Sequence, residues 1–171
     1  MSRKKVRTYK TIAEILKHRT LNIYTLQIKK YKNLFIAILI INIALITVPF
    51  LLVKQGYVFF PGYKGSNVVT YSLLGLLVVT SIIQAQYQRK KLIQIAMMIT
   101  FEERLKHYDK LFTLRTYWYL LSCIVTAIII LVTQDTYFFY YGFFDIAVAF
   151  LHYPRLALFK RELREENIVL V

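Results

Sequence analysis

Residues 34–53, 66–88 and 116–134 contain no charged side chain, and residues 136–154 contain a single one, Asp145. A helix rises about 1.5 Å per residue, so roughly 20 residues cross the ~30 Å hydrocarbon layer while pairing their backbone groups internally. Each run is long enough to do so. Hydrophobic residues make up 57% of the chain and charged residues 19%, which excludes an ordinary soluble fold. The sequence therefore reads as an all-α integral membrane protein, a single membrane domain of four transmembrane helices arranged as two hairpins. A basic cytoplasmic N-terminal helix is expected over 1–33, a cytoplasmic helical segment over 89–115 and a cytoplasmic tail over 155–171, with an amphipathic helix ahead of spans one and three.

The first apolar run follows 33 residues rich in Lys and Arg, too long for the basic region of a signal peptide, so the first span is expected to be retained. The lone cysteine, Cys123, leaves no intramolecular disulfide.

A net charge of +14 invites a nucleic-acid reading, and the placement of the charge argues against it. Ten Lys or Arg lie in 1–33, seven in 89–115 and four after Pro154, against two in 54–65 and none in 134–135. Such a division fits both ends and the long central segment facing the cytoplasm, with two short loops outside. A cell inner membrane is the expected location. Anionic lipid headgroups are the expected partners of the basic rim, at about 1 kcal/mol per basic residue, and nucleic acid is not expected. A homo-oligomer or a larger membrane complex is the expected assembly.

The two halves of the chain resemble each other. Residues 11–18, TIAEILKH, and 100–107, TFEERLKH, agree at five of eight positions, and both open with a capping-box pattern, Thr11 with Glu14 and Thr100 with Glu103. Tyr31 to Phe35 resembles Tyr108 to Phe112, and VKQGYVFF from Val53 resembles VTQDTYFF from Val132. If this is a duplication, each half is a basic amphipathic helix leading into a hairpin, and the repeats run parallel about an axis along the membrane normal. Phe101, Leu105, Tyr108 and Phe112 share one helix face, which is expected on lipid or on the matching N-terminal helix. Tyr117, Trp118 and Tyr119 are expected as interfacial anchors.

Asp145 resists a bland account, because an acid near the bilayer centre costs roughly 2.5–3.5 kcal/mol and is driven toward the bundle interior. Tyr141, Gly142, Asp145, Ala149 and His152 form a strip of small and polar residues at helical spacing, which permits close approach of a neighbouring helix. Asn42 in the first span and the Tyr119, Ser122, Thr126 stripe of the third are its expected neighbours, and none is basic. The candidate binding or proton-relay residues are thus Asp145, Asn42, Tyr141 and His152. Other hydroxyls in the spans are expected to bond their own i−4 carbonyls.

No catalytic, metal or cofactor motif accompanies them. Glu103 and His107 share a helix face but lack the ligand count of a metal site. Glu162, Glu165 and Glu166 interleave with Lys160, Arg161 and Arg164, the pattern of a solvated helix. The expected function is a small non-enzymatic membrane protein, an accessory or structural subunit acting through helix packing. The alternatives are a small transporter or proton-coupled element built on Asp145, and a lipid-modifying enzyme, which lacks a nucleophile and a base.

Overall fold

The structure is a computed structural model that describes residues 24–57, 59 and 67–170. It is all-helical apart from two short strands, in the order β1 (Tyr24–Leu26), α1 (Ile28–Lys54), α2 (Asn67–Ala96), α3 (Phe101–Thr133), α4 (Tyr137–Phe150), α5 (Leu156–Leu163) and β2 (Ile168–Leu170). Helices α1, α2 and α3 are long and apolar enough to cross a membrane. Residues 11–18, with the first half of the repeat and its capping pattern, lie outside the described residues.

Three of the four apolar runs fall largely within longer helices that continue past one end of the run. At 33 residues α3 is about 50 Å long, so its charged first turns must project beyond a ~30 Å hydrocarbon layer. The amphipathic helix expected before the third span is therefore not a separate element: it and the span form one continuous helix. Thr100 caps it, accepting from the Glu103 N–H at 3.4 Å. At the far end Gln134 takes a left-handed conformation, φ 56°, and its N–H closes on the Ile130 carbonyl at 2.8 Å. Helix α1 likewise starts at Ile28, and residues 24–26 ahead of it are extended, where a helix over 1–33 was expected.

Side-chain contacts fix the helix directions. Tyr31 meets Phe112, and Ile46 clusters with Cys123, so α1 and α3 run parallel. Ile130 packs on Leu77 and Phe138, which places α2 and α4 antiparallel to α3. Strand β2 then lies beside β1 in parallel, Thr25 opposite Val169, so the segment that leads into α1 and the end of the described chain are neighbours.

The packing divides into two regimes. Past the apolar part of the bundle, Leu26, Tyr31, Phe101, Tyr108, Phe112, Phe159, Leu163 and Ile168 form a buried cluster. Here water is the alternative, and each large side chain removed from it contributes roughly 1.5–3 kcal/mol. The Phe101, Tyr108, Phe112 face thus packs against α1, α5 and β2, not against lipid. Along the apolar spans a hydrophobic drive between helices is missing, since lipid is equally apolar, and close fit takes its place. Gly142 supplies that fit: a Cβ there would stand 2.6 Å from Ile46 Cδ1. Helix α2 is the outlier, with 11% of its most apolar window buried against 39% for α3.

Candidate functional site

The strip read from the sequence on α4 faces the bundle. Gly142, Asp145 and Ala149 are buried, with Phe138 and Ile146 beside them. The carboxyl of Asp145 looks toward Ser122 on α3, and its Oδ2 is buried with no hydrogen-bond partner. Asn42 on α1 is 2% exposed, and its Oδ1 is also unpartnered. Asn42 shares a cavity of ≈ 10 Å³ with Phe35, Thr116, Tyr119 and Ala149, about the room that one water needs.

The four candidate residues do not all converge on one point: Tyr141 and Asp145 share Ser122 as a neighbour, while Asn42 and His152 have other surroundings. The Tyr141 hydroxyl turns to α2, donating to the Leu77 carbonyl at 3.2 Å and standing 2.9 Å from the Ser81 hydroxyl. His152 Nδ1 lies 3.1 Å from the Tyr119 hydroxyl and 3.4 Å from the Val148 carbonyl. They are strung along the bundle instead, Tyr141 toward one end, Asp145 and Asn42 between, His152 toward the other. Tyr119 belongs to this line and not to the interfacial belt: it is 7% exposed, while Tyr117 is 52% exposed. Thr116, Thr126 and Thr133 bond the carbonyls of Phe112, Ser122 and Ile129 one turn back.

Beyond His152 stands a group that sequence reasoning missed. Arg115 on α3 donates from Nη1 to Glu162 Oε1 at 3.0 Å and from Nη2 to Oε2 at 3.4 Å, and the Tyr108 hydroxyl donates to Oε2 at 2.6 Å. The pair is almost fully buried, with side chains 2% and 5% exposed. Burial on its own would lower the Arg115 pKa, and the Glu162 carboxylate together with the Tyr108 and Tyr119 hydroxyls more than offsets it, so the guanidinium is held charged. Burial pushes the Tyr108 phenol well above its usual range despite the nearby Arg115, and it serves as a fixed donor.

The tail is therefore not the solvated helix that its alternating charges implied. Leu158, Phe159, Glu162 and Leu163 are buried. Arg104 secures the end of α5, donating to the Leu163 carbonyl at 2.8 Å and to Glu165 at 3.1 Å. A cation there suits the unpaired carbonyls of a helix C-terminus. The signal was present in the spacing of Leu156, Phe159 and Leu163, which gives this short helix an apolar face adjoining Glu162.

Among the described residues no three His, Cys, Asp or Glu side chains gather as metal ligands would. Comparison with known proteins gives no relative: no protein family matches the chain, and no curated protein or solved structure is similar to it. Fold and site together define a class, an all-helical chain with three helices able to cross a membrane and a line of buried polar side chains through its bundle.

Proposed function

We propose that this protein is a four-pass, non-enzymatic subunit of a cell inner membrane that acts through helix packing, with both ends on the cytoplasmic side. The observation that carries the packing role is the fit of α4 against α1. Gly142 presses on Ile46, and Asp145 lies buried on the same face, lining none of the clefts described. Helix α2 offers the face for a partner or a second copy, since Val68, Leu76 and Val79 are among its exposed apolar residues.

The fourth pass is supported by backbone bonds beyond α4. At 14 residues α4 is about 21 Å long, short of the ~30 Å layer. The N–H groups of Leu151, His152 and Tyr153 bond the carbonyls of Val148, Ala149 and Phe150, which continues the helix as a tighter turn to Pro154. Thr136 to Tyr153 then reaches nearly across, and pairing of β1 with β2 suits an even number of crossings. The asymmetry of basic residues supports the proposed orientation. A parallel duplication draws support from the level packing of the related blocks, where Tyr31 meets Phe112 at 5.1 Å and Lys30 meets Asp109 at 3.0 Å.

The purified chain in mild detergent tests the packing role. A stable homo-oligomer or a co-purifying membrane partner, lost when Leu76 and Val79 are both changed to Ser, is the expected result. A monodisperse monomer that takes no partner from its native membrane would overturn it.

A second reading, a proton-coupled element, is favoured by the unpartnered Asp145 and Asn42 oxygens and by Tyr119–His152, which stands between Asp145 and the Arg115–Glu162 pair. Asp145→Asn preserves shape and removes ionisation. The packing role expects that variant to express, fold and support growth as the parent does, whereas the proton-coupled reading expects a pH-dependent loss.

A further inference from the structure

Two clefts open between α2 and α3 and run into each other. The first, ≈ 350 Å³, is walled by Ile83, Leu114 and Trp118, with Gln84 and Gln88 on the α2 side. The second, ≈ 240 Å³, lies toward the α2–α3 turn and is lined by Lys91, His107 and Lys110. Tyr87, Leu111 and Leu114 border both. One end of this continuous groove is apolar and level with the spans, and the other is basic. That is the division of a membrane lipid into tails and an anionic head.

The geometry points to a binding site for one anionic phospholipid between α2 and α3, its acyl chains in the apolar cleft and its phosphate among Lys91, Lys110 and His107. Lys91 reaches back one turn along α2, its Nζ 5.8 Å from the centre of the Tyr87 ring, so its charge sits where the two clefts join. His107 Nδ1 lies 2.9 Å from the Glu103 carbonyl, which fixes the ring at the mouth of the second cleft. One turn deeper, Gln84 Nε2 is buried and has no hydrogen-bond partner, though amide donors away from water are rarely left unpaired. An ester carbonyl below the phosphate supplies the missing acceptor. Charge complementarity selects this occupant over the chain's own N-terminal segment, whose residues 1–23 carry seven Lys or Arg and would repel the basic end. The site rests on the membrane reading and does not depend on the packing role.

Native mass spectrometry of the full-length chain in mild detergent tests it, with palmitoyl-oleoyl phosphatidylglycerol or phosphatidylcholine added at equal concentration. One phosphatidylglycerol per chain should be retained in preference to phosphatidylcholine. Lys91→Gln with Lys110→Gln should weaken its retention roughly tenfold or more. The charge-matched control, Lys29→Gln with Arg161→Gln, both exposed and outside the groove, should leave retention unchanged. Leu114→Trp fills the cleft and should expel both lipids; should it fail to fold, the lysine pair carries the test. Equal retention of the two lipids, or equal loss in the control, would overturn the site. So would a lipid-free dimer that Leu114→Trp separates, since the groove would then be a protein interface.

Discussion

Arg115 and Glu162, 47 positions apart, meet at 3.0 and 3.4 Å with almost no exposure to solvent, and Tyr108 completes the carboxylate's hydrogen bonds. A buried charge pair is weak evidence of net stability, because desolvation offsets much of the attraction. What it fixes is position. With Arg104 it holds α5 and the following strand against the projecting end of α3, so the chain is closed by one polar clamp and one apolar cluster.

Breaking that clamp from one side leaves the other charge buried and alone. Arg115→Ala or Glu162→Ala should each cost about 3–5 kcal/mol, read as loss of thermal stability in detergent. Arg115→Met combined with Glu162→Leu should recover much of the loss, because neither charge remains and only the Tyr108 hydroxyl loses its acceptor. Equal damage in the single and double variants would mean that the pair has no partner-specific role.

Gly142 and Ile46 offer a test of close packing inside the spans. Gly142→Ala forces its new carbon into Ile46 and should cost about 1–3 kcal/mol. Ile46→Ala should relieve that strain, so the two changes combined cost less than their sum. Additive effects in a thermal-shift measurement would show that α1 and α4 do not touch there.

Removing residues 164–171 takes away β2 and the Glu165 partner of Arg104, and uncovers Leu26. The expected cost is ~2–4 kcal/mol, with the helical circular-dichroism signal of the spans retained. A truncated chain as stable as the parent would contradict the described contact between β1 and β2.

The helices were legible because charge-free runs of this length admit few solutions. Their ends were not. Helix α3 begins at Phe101 and α1 at Ile28, since an amphipathic stretch passes into an apolar one without a breaker, and composition changes where the backbone does not. Thr100 was readable as a cap because Ser and Thr hydroxyls satisfy free N–H groups at helix starts. The burial of Asp145 followed from its cost in hydrocarbon, but the pairing of Tyr141 with Ser81 and of His152 with Tyr119 did not, because helical spacing gives a face and says nothing of which neighbour each side chain meets. Arg115–Glu162 lay beyond reach for the same reason. Glu162 has basic residues near it in sequence, and a local pairing rule assigned it to those. Strands of three residues, paired from opposite ends of the chain, carry too little periodicity to be read.

The central claim is that the chain threads a bilayer with the start of α1 and the end of α5 on one side and the α1–α2 connection on the other. Cys123→Ser removes the native thiol, and single cysteines at Lys29, Gln55 and Glu166, all exposed, then report sidedness to a membrane-impermeant maleimide. In intact cells Gln55→Cys should label, while Lys29→Cys and Glu166→Cys should label only after the membrane is opened. Labelling of Glu166→Cys from outside, or protection of Gln55→Cys until the membrane is opened, would contradict the account.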